Sequence, residues 1–252
     1  MSEGTSAPTA DAFHPLRMGL DPLPLTEWLK PQPSDEALLA LRKELAHTKP
    51  DLVLASRPEA RPAVSELAEL LQARGFTHVK PGDDTATLAS WAESVAEDLC
   101  VLTPDSDTYR VTAGVLCFPN RWKLPDKAGK TLIDTHAPVP GYAETVGASV
   151  DRFLARLRPM RPYTRRNWGL ASVPDLHLPE PVAPVNPATD TDFYLRIETQ
   201  GFLKLQQTEA VIFSIRTTVT PWRDVSPLMR DAILDAVSQL SESLKAYKSI
   251  SG

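Results

Sequence analysis

Cysteine is nearly missing from this chain of 252 residues: only Cys100 and Cys117 occur, too few for a four-thiolate zinc or iron–sulfur centre. Their neighbours, in DLCVL and VLCFP, are apolar, so both read as buried, reduced strand thiols and not as a disulfide. No stretch approaches the roughly 20 consecutive apolar residues that cross a bilayer. The N-terminus also lacks the charged-then-apolar layout of a secretory signal, and the expectation is a cytoplasmic protein with no membrane partner. Basic clusters are missing as well. With 27 Lys and Arg against 32 Asp and Glu the formal charge is −5, which argues against a polyanionic partner such as nucleic acid.

Signature motifs are equally sparse. GxGxxG and GxxxxGK[ST] do not occur, so the chain brings no nucleotide fingerprint; HExxH and GxSxG are absent too, which removes support for a two-histidine zinc helix and a nucleophile elbow. The lack of CxxCH means that any haem would be held noncovalently.

Proline, by contrast, is abundant at 24 residues, densest in 1–35 and in 173–190. The first stretch reads as an N-terminal arm. The second, VPDLHLPEPVAPVNPATD, reads as an irregular excursion between ordered parts of one domain spanning 36–252. Leu38, Leu41 and Leu45 predict a helix from Glu36 to His47; Val64, Leu67 and Leu71 predict a second that stops at Gly75; Leu88, Trp91, Val95 and Leu99 predict a third that starts near Asp84, with Trp91 in the core. The period then changes to two. LCVLT and YRVTAGVLCF, separated by PDSD, form a predicted antiparallel hairpin, followed by a helix from Ala143 to Leu157. DFYLRIET and AVIFSIRTTV read as two further strands, and a last helix opens at Ser226–Pro227 and runs to Leu244. Helices first and then mixed strands and helices, with no repeating βαβ unit, predict an α+β fold with a mainly antiparallel sheet flanked by helices.

One segment stands out for chemistry: FPNRWKLPDKAGKTLIDTHAPVPGY, residues 118–142, mounts a lone histidine, His136, between prolines that restrict the backbone. The imidazole suits a metal ligand, a general base or a structural histidine bonded to a carbonyl. His14, His47, His78 and His177 do not cluster with it, so a metal would need most of its ligands from elsewhere. A porphyrin supplies four nitrogens, and one histidine then suffices. Its carboxylates would call for cations or amides, for which Arg121, Lys123, Arg165, Arg166 and Asn167 are candidates, the plain alternative being ordinary surface charge. Arg196 and Glu198 share one face of a predicted strand, about 7 Å apart. They form a solvated pair if that face is open; if it is covered, the carboxylate holds an ammonium or moves a proton.

Taken in order, RMGLDPLPLTEWL, EDLCVLTPDSDTYRVTAGVLCFPNRWKLPDKAGKTLIDTHAPVPGY, RRNWGL, LRIETQGFLKL and AVIFSIRT resemble the haem-dependent oxidative N-demethylase family over nearly the whole chain. The resemblance implies a PAS-like haem-binding core and O2-dependent removal of a methyl group from a small secondary amine, releasing formaldehyde. It implies haem b with His136, in HxPVPGY, as the axial iron ligand, and a role for Arg196 and Glu198, in R-x-E, in handling substrate or oxygen. Where the family pattern is nearer LRxERQTLxRLP, this chain has LRIETQGFLKL. Electrons are expected from a separate NADPH- and flavin-linked reductase. Two other readings are a PAS-like haem sensor or redox module, and a haem-free interaction domain.

Overall fold

The computed structural model describes residues 19–251. The first part of the expected arm, with His14, therefore lies outside the described residues. Its remainder is docked: Trp28 is 1% exposed, and its indole Nε1 donates to Ser214 Oγ at 3.2 Å.

The three expected helices form, as α1 (Asp35–Thr48), α3 (Arg61–Ala73) and α4 (Thr85–Ser94), with a short fourth, α2 (Pro50–Val53), after α1; they do not come strictly first, since one short strand precedes α1 and another separates α2 from α3. Val64, Leu67, Leu71, Leu88 and Trp91 are fully buried, so the periodic stripes do face the core. Gly75 takes a left-handed φ of +94° just past α3, a conformation glycine adopts without steric cost. Asp84 caps α4 by accepting Thr87 N–H at 2.9 Å. The helix ends earlier than its apolar stripe implies, because Val95 is already extended and Leu99 belongs to a strand.

Among the described residues seven strands form one antiparallel sheet: β1 (Asp21–Pro22), β2 (Leu54–Ser56), β3 (Asp98–Asp105), β4 (Thr108–Val115), β5 (Tyr163–Ala171), β6 (Tyr194–Lys204) and β7 (Val211–Pro221), in the order β1-β5-β6-β7-β3-β4-β2. The β3–β4 hairpin turns at Ser106 and Asp107, as PDSD suggested. Gly114 allows close strand approach, since a Cβ there would sit 2.5 Å from Leu99 O. The sequence reading left β5 out. The predicted helix from Ala143 begins as a π-helical turn (Ala143–Gly147) and continues as α6 (Ala148–Arg156); the last predicted helix is two, α7 (Pro227–Ser238) and α8 (Glu242–Tyr247), the second with its own Ser241 cap. Cys100 and Cys117 are buried free thiols; burial raises both pKa values, that of Cys117 to about 12. No helix among the described residues is long and apolar enough to cross a membrane.

Register divides the sheet into two faces. Leu99, Val101, Leu203 and Ile212 meet α1, α3 and α4 on one, where Leu195 and Ile197 also point and pack with residues of α7. Cys100, Leu102, Phe202, Phe213 and Ile215 occupy the other, beneath α6 and a helical turn, α5 (Leu132–Thr135). The two faces are tied at a buried pair. Arg42 of α1 and Asp98 of β3 are both 0% exposed and joined by an Arg42 Nη1–Asp98 Oδ1 ion pair. Asp98 also accepts the N–H groups of Cys117 at 2.7 Å and Phe118 at 2.8 Å, fixing the chain as it leaves β4.

Removing the cation should expose the cost of burying that carboxylate. Arg42→Met is expected to lower stability by about 3–5 kcal/mol. Urea unfolding of Arg42→Met, Asp98→Asn and the double variant checks this, the double variant being less unstable than the sum of the singles.

Candidate functional site

A cavity of about 520 Å³ lies on the second face of the sheet. Its floor is a cross-strand patch of Leu102, Val111, Phe202, Phe213 and Ile215, and its opposite wall comes from Leu132, Val139, Tyr142, Val150, Phe153 and Leu154. The aromatic contacts are tight: Phe202 stacks on Phe213 with centroids 5.0 Å apart, and Phe153 meets Phe202 edge-on at 5.9 Å.

His136 enters from the wall. Thr131 caps the four-residue α5 by accepting Asp134 N–H at 3.2 Å, and His136 follows as its C-terminal cap. The ring Nδ1 lies 2.8 Å from Leu132 O, which as a carbonyl only accepts; Nδ1 therefore carries the hydrogen, and Nε2 keeps its lone pair. The ring also stacks on Tyr142 at 4.2 Å with planes 8° apart. Burial holds its pKa below the usual 6.5, against the raising effect of the Leu132 hydrogen bond and with help from Lys127 and Arg165. This is a neutral imidazole with a fixed tautomer and a free nitrogen.

The polar end of the cavity comes from three places. Strand register sets Arg165 beside Gln200 and Asn167 beside Glu198; Asn120 and Arg121 arrive from the loop after β4; Tyr247 and Lys248 arrive from the end of α8. Glu198 Oε2 accepts from Asn167 Nδ2 at 3.1 Å and Gln200 Nε2 at 2.9 Å. Arg121 has a left-handed φ of +64°, and its N–H is tied to Leu178 O at 2.6 Å. Arg121 Nη1 and Arg165 Nε are buried with no hydrogen-bond partner among the described residues. Burial lowers the pKa of both guanidinium groups, with Glu198 acting in the raising direction on each. Lys248 is 4% exposed and donates to Trp168 O at 2.6 Å, capping β5 beyond its short pairing with β1. Burial brings its pKa down to about 7.

Of the residues singled out from the sequence, the cavity gathers His136, Arg121, Arg165, Asn167 and Glu198. Three others fall elsewhere. Arg166 alternates to the opposite side of β5 from Arg165 and Asn167 and is exposed; Lys123 is paired with Glu180 outside the cavity lining. Arg196 does share the covered face with Glu198, yet no ion pair joins them: its guanidinium instead donates to Phe118 O at 2.7 Å, Pro119 O at 3.0 Å, Leu176 O at 2.8 Å and Asp175 O at 3.0 Å. It is 1% exposed and stands outside the cavity lining, a positioning residue for two loops. Sequence reasoning missed Lys127, Tyr142, Gln200, Tyr247 and Lys248. For Gln200 a signal existed, because strand alternation puts it on the face of Glu198; for Lys248 none did.

No three His, Cys, Asp or Glu gather into a metal site among the described residues, so His136 is the lone imidazole donor in the cavity. Fold and site together define an α+β domain that encloses a cavity with apolar walls, one imidazole and several cationic side chains. The chain belongs to the haem-dependent oxidative N-demethylase, alpha subunit-like family, whose model matches residues 72–252. Among curated proteins none matches the chain.

The buried amine makes a prediction about pH. The unfolded chain holds the Lys248 proton up to the ordinary 10.5, while the folded protein releases it above about 7, so the unfolded state binds more protons between these values. Stability from this group therefore rises with pH across that window. Denaturant midpoints measured from pH 7 to 10 should show the rise, and Lys248→Met should flatten it.

Proposed function

We propose that this chain is the haem-binding, oxygen-using component of an oxidative N-demethylase. The observation that carries the reading is His136: neutral, oriented by Leu132 O, and leaving Nε2 free beside a cavity whose lining also holds Arg121 and Arg165 with unpartnered buried nitrogens. His136 would bind the iron of haem b, and Arg121, Arg165 and Asn167 would hold its carboxylates. Bound there, the haem would supply O2 activation and oxidation of a methyl C–H bond. The five central strands, running third, fourth, fifth, first and second by chain position across the sheet, support a PAS-like core.

The reaction balances with O2, two electrons and two protons. One oxygen atom enters the methyl C–H bond to give a hydroxymethyl amine and the other leaves as water; the C–N bond then breaks to release formaldehyde and the demethylated amine. The electrons call for a separate NADPH- and flavin-linked reductase, in keeping with the subunit wording of the family description. Within the chain, Glu198 is the group suited to the amine. Its Oε2 is engaged by Asn167 and Gln200, which leaves Oε1 to receive an ammonium hydrogen or a proton as the hydroxymethyl amine collapses. Phe153, Phe202 and Phe213 keep water from the reacting carbon.

Hemin titration of the purified protein should give a Soret band, and His136→Ala should abolish or shift it. With a chemical reductant, O2 and a small N-methyl amine, formaldehyde should form, falling about 10²-fold or more in Glu198→Gln. A Soret band without formaldehyde from any N-methyl amine would instead favour the sensor reading.

A further inference from the structure

The ionisable side chains around the cavity do not balance. Arg121, Lys127, Arg165 and Lys248 line it, and Glu198 is the one carboxylate among the described lining residues. None of the four cationic side chains makes an ion pair with a carboxylate among the described residues. Lys127 and Lys248 donate to main-chain carbonyls instead, Thr135 O at 2.6 Å and Trp168 O at 2.6 Å. Lys248 is the buried one of the four, its ammonium 4.5 Å from the Trp168 ring centroid with no carboxylate beside it, and a ligand that brings negative charge relieves the cost of charging it there.

The two carboxylates of a bound porphyrin match Arg121 and Arg165. Two lysines then remain against Glu198, half of whose carboxylate is already engaged by amide donors. With Lys248 protonated, a bare alkylammonium entering this space meets more positive charge than negative. A zwitterion does not. We propose that the N-methyl substrate carries its own carboxylate, as an N-methylated amino acid does, with its ammonium directed to Glu198 and its carboxylate to Lys248. This inference rests on the demethylase reading, and the balance of the reaction is unchanged by it. The groups acting on Lys248 are Glu198 from β6, Arg121 from the loop after β4 and Arg165 from β5. A carboxylate arriving among them favours the charged lysine, so binding takes up a proton near pH 7.

The test compares ligands that differ only in the feature at issue. The hemin-loaded protein is titrated calorimetrically with N-methylglycine, with N-methylglycinamide, which keeps the secondary amine but loses the carboxylate, and with dimethylammonium. N-methylglycine should bind at least about tenfold tighter than either of the others. Lys248→Met should bring its affinity down to that of the amide, while Lys248→Arg retains most of it. Equal affinity for acid and amide, or tighter binding of dimethylammonium, overturns the carboxylate inference and leaves the demethylase reading intact. Absence of a Soret band on hemin addition removes that reading and the inference with it. Because the acid–amide comparison uses the unaltered protein, it decides the matter even if the variants fail to fold.

Discussion

The segment Cys117–Pro119 is clamped from both sides, and the polar end of the cavity depends on that clamp. Asp98 takes its N–H groups, Arg196 takes its carbonyls, and Arg42 neutralises Asp98 from the opposite side of the sheet. Each partner is buried, so each interaction acts in a low dielectric where a lost partner is expensive. Two residues beyond the clamp, Arg121 adopts a left-handed conformation that an unrestrained arginine would leave. Arg196 also grips Asp175 and Leu176, bringing the proline-rich excursion alongside, where Leu178 O receives the Arg121 N–H. A chain of ordinary hydrogen bonds thus runs from a surface-layer helix to a guanidinium in the cavity.

The remainder of the site is sheet geometry. Alternation along β5 and β6 sends Arg165, Asn167, Glu198 and Gln200 to one face, and antiparallel register sets them in adjacent pairs. The same alternation sends Trp168 and Ile197 into the other core, where they contribute to packing. Cations held in the cavity without carboxylate partners oppose folding, and the apolar layers on both faces must offset them. Stability and readiness for an anionic ligand are therefore in tension here, as they are in many binding sites.

Much of the fold was legible in the sequence because it rests on local periodicity. The stripes of α1, α3 and α4 and the alternation of β3, β4, β6 and β7 each follow from one segment read alone. Strand β5 was not, since TRRNW carries adjacent arginines and its burial comes from partners distant in sequence. His136 was legible from its lone position among prolines, and the resemblance to the family supplied a role for it. The place of Arg196 has a clear physical source: sharing a strand face with Glu198 fixes where the side chain starts, but its length lets the guanidinium reach four carbonyls contributed by two loops. Lys248 was illegible for the opposite reason, because its environment is assembled from β5, β6 and the loop after β4, none of them near it in sequence.

The strand order has a consequence for how the molecule forms. The centre of the sheet joins β7 to β3 across more than a hundred intervening residues, and Trp28 reaches Ser214 with a sequence separation of 186. The β3–β4 and β6–β7 ladders close locally, whereas the seam between them requires the loop-closure entropy of the whole middle of the chain. The cavity floor straddles that seam, with Leu102 on one side and Phe213 on the other. Folding should therefore be slow for a domain of this size, and a ligand spanning the floor would act as a staple across its most costly seam.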